Sequence, residues 1–301
     1  MTSFFEGPEK KFELVLREGH ASLRRAPEEL WRDVIGAARA HILGRRASEH
    51  IDAFLLSESS LFVADRRLTM ITCGRTTLVG AIERALAYID LDAVSLLVYE
   101  RKNEHRPELQ ASSFDDDAQR LTRWVPGRVV RFGSSDPHGL ALFHSKGVHT
   151  PEPGERTLEV LMHGIEPAVA SKFVATAEPR FVASAALTQT LAGYDVHEHL
   201  FDPVGYSFNA LRGDSYAALH VTPEPHGSYA SFETNDHELE LTVALRELIE
   251  LFRPEAFELL SFDGLRAPRG HVTLTGYRHL EESDERVSGY SVRFLRYVRI
   301  G

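Results

Sequence analysis

Glu58, Ser59 and Ser60 stand between two β-rich runs, Ile51 to Ser57 and Leu61 to Ala64, and Thr72-Cys73-Gly74 follows one short hairpin later. The groups gathered there are hydroxyls, a carboxyl and the chain's only cysteine, residue types that can act as nucleophiles or carry protons. Spacing alone signals no more than a serine-rich turn, and a lone cysteine is ordinarily a small buried apolar side chain. His220, at the end of a β-rich run, reads by itself as a core histidine. His197 and His199 share one face of a strand but have no third ligand that would make a metal site.

These groups must be positioned by strands. Residues 12 to 18 alternate as a strand, with Glu13 facing away from Phe12, Leu14 and Leu16. Pro27-Glu28-Glu29 opens an amphipathic helix that carries Leu30, Trp31, Val34, Ile35, Ala38 and Ile42 and ends near Gly44. Ile51 to Ser57, Leu61 to Ala64 and Leu68 to Thr72 read as three strands, which places the serine cluster and Cys73 at the ends of neighbouring strands. A helix over Thr77 to Ile89, a buried strand over Ala93 to Tyr99, a helix over Asp115 to Trp124 and a hairpin of Arg128 to Phe132 with Gly139 to Phe143 complete the first half. Pro151-Glu152-Pro153-Gly154 marks the boundary between halves, about 1–150 and 151–301.

The second half reads as a strand over Thr157 to Met162, helical pieces over 166 to 174 and 180 to 192, strands near 205 to 211, 215 to 222 and 228 to 234, a helix over 236 to 252, and final strands at about 270 to 280 and 287 to 299. Hairpins outnumber helix crossovers, so the expected class is α+β with antiparallel sheets. No repeat is readable residue by residue.

With 301 residues, 43% of them hydrophobic, the chain can build a packed core. A net charge of −10 and a pI near 5.8 leave no basic footprint for nucleic acid. One cysteine excludes an intrachain disulfide, no charged-then-apolar leader opens the chain, and no apolar run approaches the roughly 18 residues of a membrane span. The expectation is a soluble cytoplasmic protein with neither nucleic-acid nor membrane partners, as a monomer or homodimer.

Phe4-Phe5-Glu6-Gly7, Leu56 to Phe62, Thr72-Cys73-Gly74, Arg101-Lys102-Asn103, Thr157-Leu158-Glu159, Gly205-Tyr206-Ser207 and His220 to Asn235 together resemble the eukaryotic-type S-adenosylmethionine decarboxylases, in family order. The resemblance implies a single domain, a four-layer αββα sandwich of two antiparallel sheets with helices on the outer faces, internally duplicated. It implies a carboxy-lyase that cuts itself at Glu58-Ser59 into residues 1–58 and 59–301. Ser59 would attack the Glu58 carbonyl and become a covalent pyruvoyl group, which forms a Schiff base with S-adenosylmethionine and so supplies the aminopropyl donor of spermidine synthesis. A decarboxylated amino acid needs such an electron sink.

By the same resemblance His220 is the processing base, Ser207 the hydroxyl that steadies processing, and Cys73 the proton donor of turnover. Phe5 and Phe201 would stack on adenine, Glu224 would bind the ribose hydroxyls, and Glu6 and Glu9 match acids near the active site. Glu13, Glu155, Thr157, Glu159 and Glu233 fall where some members bind putrescine, with Lys11 and Arg156 beside them, so activity without putrescine is expected.

The chain departs from the family at Arg75, inserted after Gly74, at His226-Gly227 and at Val204, which puts the rim of the site in question. The rival functions are a pyruvoyl-dependent decarboxylase of another amino acid, such as arginine or ornithine, and a catalytically dead regulatory homologue. Retention of Phe5, Phe201 and Glu224 speaks against the first, and retention of Ser59, Cys73 and His220 against the second.

Overall fold

The computed structural model describes residues 5–133, 138–147, 149–174, 183–264 and 272–300. Phe4, residues 134–137 of the expected hairpin loop, and the starts of the expected helix at 180 and strand at 270 lie outside the described residues. The chain divides into two compact units, one made of Pro8–Thr150 with Val287–Gly289, the other of the residues through Gly7 with Pro151–Arg286 and Tyr290–Gly301.

The first unit holds β1 (Lys10–Leu16), α1 (Glu28–Ala37), β2 (Ile42–Ala47), β3 (Ile51–Leu56), β4 (Ser59–Ala64), β5 (Arg67–Thr72), α2 (Leu78–Tyr88), β6 (Val94–Lys102), α3 (Phe114–Leu121), β7 (Gly127–Phe132) and β8 (Leu140–Ser145). Its strands form one eight-stranded sheet in the order β2-β3-β4-β5-β1-β6-β8-β7, and every pairing is antiparallel. Side-chain alternation sorts each strand. Phe12, Leu14, Phe54, Leu56, Leu61, Val63, Leu68, Met70, Leu97 and Tyr99 form a core with Trp31, Val34 and Ile35 of α1 and Leu78, Ile82 and Leu86 of α2. Each large apolar side chain so buried contributes about 1.5–3 kcal/mol. On the opposite face Lys11, Glu13, Ser60, Thr69 and Glu100 are also buried.

The second unit holds β9 (Arg156–His163), α4 (Pro167–Ala170), β10 (Asp195–Leu200), β11 (Tyr206–Arg212), β12 (Ser215–Thr222), β13 (Tyr229–Thr234), α5 (Leu241–Phe252), β14 (Ala256–Asp263), β15 (Tyr277–Val287) and β16 (Tyr290–Arg299). Its sheet runs β10-β11-β12-β13-β9-β14-β16-β15, the order of the first sheet advanced by eight strands. The α+β class, the antiparallel sheets and the duplicated architecture expected from the sequence are therefore present. Val160, Met162, Phe208, Leu219 and Phe232 pack with Leu245, Leu248 and Phe252 of α5. The other face carries buried Thr157, Glu159, Ser207, Asn209, His220, Ser231 and Glu233.

Several boundaries differ from the sequence expectation. The first helix stops at Ala37, not near Gly44, because Arg39 takes a left-handed φ of 65° and Thr77 Oγ1 caps the Ala37 carbonyl at 2.7 Å. Ile42, spaced to continue the helical stripe, instead begins an edge strand. The expected piece over 180–192 retains one 3-10 turn, Ala183–Ala185, among its described residues, and the helix expected from 236 starts at Leu241. Central strand β14 escaped prediction, and the strand expected from 270 begins at Tyr277.

Two glycines give opposite tests of packing. A Cβ on Gly127 would lie 2.1 Å from the buried Phe143 ring, so Gly127→Ala lowers stability by about 1–3 kcal/mol. Gly36 sits in α1 with no described atom beyond its own helix and chain neighbours within 4 Å of its Cβ position, so Gly36→Ala raises stability by about 0.5–1 kcal/mol. Urea midpoints at unchanged slope check both.

Candidate active site

β3 and β4 pair through Leu56 and Ser59, leaving Ser57-Glu58 as a two-residue turn. On its other side Ser59 pairs with Thr72 of β5, so Cys73 emerges beside it. Ser59 Oγ and Cys73 Sγ lie 3.8 Å apart. The Glu58 carbonyl accepts a hydrogen bond from the Cys73 backbone N–H at 3.1 Å, and the Cys73 thiol approaches the same oxygen at 3.6 Å. The turn is tied at its outer end by Ser57 N–H to the His41 carbonyl at 2.9 Å and by His41 N–H to Ser57 Oγ at 3.1 Å.

Ser59 has φ of 135°. A side chain in that region costs of order 1–3 kcal/mol and persists only where the surroundings enforce it. Here the enforcement is the ladder on both sides of β4. A nucleophilic hydroxyl, the strained peptide preceding its own α-carbon, and two donors directed at that peptide's carbonyl oxygen make an arrangement suited to internal acyl transfer.

Burial sets the proton inventory of this hairpin. The Glu58 carboxyl is pushed up to about 7 by desolvation, with Lys10 opposing the shift, and its Oε2 is a buried acceptor with no hydrogen-bond partner among the described residues. The Cys73 thiol is pushed up to about 12, first by burial and then by the Glu58 charge, against a smaller pull from the Ser59 hydrogen bond. It stays protonated at neutral pH.

In the second unit, β11 and β12 set Ser207 opposite His220, with Ser231 opposite His220 on the other side. His220 Nδ1 and Ser207 Oγ are 2.9 Å apart. Burial pulls the imidazole down to about 3, which leaves it neutral. Phe5 N–H donates to Glu224 Oε1 at 3.1 Å, and Glu6 is buried. A Cβ on Gly7 would sit 2.7 Å from Tyr229 Cβ, so only glycine lets this segment lie so close to β13. Phe201 N–H donates to the Gly205 carbonyl at 2.8 Å, and its ring meets His199 edge-on at 4.7 Å. His199 is thus a packing partner of Phe201, a role that spacing alone did not suggest.

The acids divide by unit. Glu159 and Glu233 are cross-strand neighbours, Tyr216 hydroxyl donates to Glu233, and Tyr290 hydroxyl donates to Glu155. Thr157 shares the face of Glu159, as its spacing of two requires. Arg156 falls on the opposite face, where Nη2 donates to the carbonyls of Asp236 and Leu239 at 2.9 Å each. It does not lie beside those acids, because adjacent strand residues alternate. In the first unit Glu13 pairs with Arg67, and Lys11 Nζ lies 3.7 Å from Glu100. Arg67 and Glu100 went unnoticed in the sequence, since only the registers of β5 and β6 on β1 bring them near.

A family model described as adenosylmethionine decarboxylase matches residues 2–298. The chain is 35% identical to the S-adenosylmethionine decarboxylase proenzyme of Caenorhabditis elegans, over 98% of this chain and 88% of that protein. Identity to the proenzyme of the same name from Onchocerca volvulus is 37%, over 86% and 76% of the two chains, and to that of Leishmania donovani 33%, over 98% and 86%. Among solved structures, the Trypanosoma brucei AdoMetDC-delta26 monomer shares the fold with a TM-score of 0.63 at 22% identity, over 80% of this chain and 99% of that one. By its matched length and by these relatives, the chain belongs to the adenosylmethionine decarboxylase family.

Proposed function

We propose that this chain is an S-adenosylmethionine decarboxylase that makes its pyruvoyl group from its own Ser59. The observation that carries the self-processing is the Glu58-Ser59 peptide: Ser59 held at φ of 135° with the Glu58 carbonyl in a hydrogen bond from Cys73 N–H at 3.1 Å. Ser59 Oγ adds to the Glu58 carbonyl carbon, the amide C–N bond breaks, and the Ser59 nitrogen takes up the proton, which leaves an ester. Attack draws charge onto the Glu58 oxygen, where the Cys73 N–H is already directed. Relief of the strained φ favours the same step.

Removal of the Ser59 α-proton from the ester then breaks the Ser59 Cβ–Oγ bond, expels the main-chain carboxylate of Glu58 and parts the chain into residues 1–58 and 59–301. Water replaces the nitrogen as ammonia on the new terminus. His220 is the base in this proposal: a neutral imidazole accepts a proton, and Ser207 fixes its ring through Nδ1. The pyruvoyl carbonyl supplies the electron sink for departing carbon dioxide. Cys73 Sγ holds a proton for the substrate α-carbon, and its raised pKa keeps the thiol protonated at neutral pH. Phe5, Phe201 and Glu224 are the proposed contacts to adenine and ribose, with Glu6 near them. No described helix is long and apolar enough to cross a membrane, and the proposed location is the cytoplasm.

Intact mass under denaturing, reducing conditions tests the proposal: two chains, 1–58 and 59–301, with a pyruvoyl mass at position 59, are expected. Ser59→Ala should give one uncut chain near the full 33.8 kDa. An uncut parent after prolonged incubation would overturn the self-processing.

His220 makes folding pH-dependent. Its folded pKa of about 3 lies below the unfolded value of about 6.5, so the unfolded state binds the extra proton. The stability from this group is full above pH 6.5 and is lost as pH falls towards 3, at roughly 1 kcal/mol per pH unit. Urea unfolding of the uncut Ser59→Ala chain should show this loss between pH 6.5 and 4, and His220→Gln should flatten it.

Glu13 and Glu100 already have fixed cations in Arg67 and Lys11. Added putrescine should therefore leave both cleavage and carbon dioxide release nearly unchanged. A several-fold acceleration would show that the acids need a mobile diamine.

A further inference from the structure

The loop carrying Cys73 has a second set of restraints, on the side away from Ser59. Lys10 opens β1, with Thr72 of β5 and Arg101 of β6 as its cross-strand neighbours, and is almost wholly buried at 2% exposure. Its ammonium donates to the Gly74 carbonyl at 2.9 Å and to Gln110 Oε1 at 2.9 Å. One residue further, Arg75 Nε donates to the Leu109 carbonyl at 2.9 Å. Leu109 ends a 3-10 turn, Pro107–Leu109, that Gln110 follows. Thr76 Oγ1 closes the loop on Thr72 Oγ1 at 2.9 Å.

We propose that Lys10 and the 107–110 turn form a clamp that positions Cys73, holding its backbone N–H on the Glu58 carbonyl. Cys73 lies between two fixed points. Thr72 is held in the ladder, and the Gly74 carbonyl is held by an ammonium that is itself anchored to Gln110. Arg75 adds a parallel tie to the same turn, which explains how an arginine fits after Gly74. Its side chain leaves the loop and fastens to the neighbouring turn, so the register of Cys73 against Glu58 is kept.

A buried lysine is costly unless its hydrogen bonds compensate. Burial, and then the Arg101 charge, lower Lys10 to about 8, and it still carries its proton at neutral pH. Methionine would fill the same space without that desolvation, but it has no donor for Gly74. Lys10 is thus a positioning residue, acting through Cys73.

The clamp's contribution to cleavage rests on the Ser59 reading above, but the clamp itself does not. In the uncut Ser59→Ala chain, hydrogen exchange at the Cys73 amide measures the clamp directly. Lys10→Met and Gln110→Ala should speed that exchange about tenfold, and Gln110→Glu, which keeps the acceptor for Lys10, should leave it at the parent rate. The increase should be confined to residues 72–77, whereas general destabilisation would also raise exchange in β16. Arg75→Ala, at an exposed position, serves if Lys10→Met does not fold.

In the Ser59 chain the same variants should cut about tenfold more slowly, with Gln110→Glu restoring the rate. Unchanged Cys73 exchange would overturn the clamp. Faster exchange with parental cleavage would overturn its part in processing. Faster exchange in a parent that never cuts would support the clamp and remove the Ser59 reading alone.

Discussion

The hydrogen bond from Cys73 N–H to the Glu58 carbonyl ties a strand end to a hairpin turn, and the geometry of the candidate site depends on it. A two-residue turn is too short to relax by itself: Leu56 and Ser59 are already paired, and Ser59 is paired again with Thr72. With both sides of β4 held, the chain passes from Glu58 into Ser59 at a φ of 135°. The hydrogen bond then fixes which way the Glu58 carbonyl points. The left-handed Ser59 and the donor to the Glu58 carbonyl thus sit on the same three strands, and the apolar packing beneath them keeps them there. Loss of that packing would release the strain as well as the donor.

The second sheet shows that topology alone does not produce this state. Its counterpart hairpin joins β11 to β12 through Gly213-Asp214, with Arg212 opposite Ser215. There the positive φ, 61°, falls on Gly213, which bears it at little steric cost. The Asp214 carbonyl is held by the side-chain amide of Asn235 at 3.1 Å. Two hairpins in the same place of the same strand order thus differ in where the left-handed residue stands. In one a glycine in the turn absorbs it, and in the other a serine on the strand does.

Legibility in the sequence followed from range. β3, β4, β5 and α2 were readable because alternation and apolar spacing are local, and the nearness of Ser59 to Cys73 followed from a short hairpin. The end of α1 was not readable: Ile42 keeps the helical spacing, and the stop comes from Arg39 and from a cap on Thr77, a residue 40 positions from the carbonyl it binds. β14 hid because its run from Ala256 includes Glu258, which looks like a surface residue but is wholly buried, with His163 Nε2 2.8 Å away. Ion pairs such as Lys11 with Glu100 depend on register between distant strands, which no local pattern records. The family resemblance named site positions that periodicity could not, but it supplied neither the φ of Ser59 nor the protonation of Glu58, Cys73 and His220.

Those three groups are all shifted toward their neutral forms, by the same cause. Desolvation raises the carboxyl and the thiol and lowers the imidazole, since each charged form would lose its hydration. The consequence for chemistry is specific. A thiolate beside a carbonyl would compete as a nucleophile, and an imidazolium could not accept a proton. Burial removes both problems. Lys10 is the exception: it stays charged at neutral pH despite burial, and its ammonium is spent on the Gly74 carbonyl and Gln110. A charge kept under such burial marks a position whose hydrogen-bonding geometry outweighs its desolvation, and the loop it holds is the one that carries Cys73.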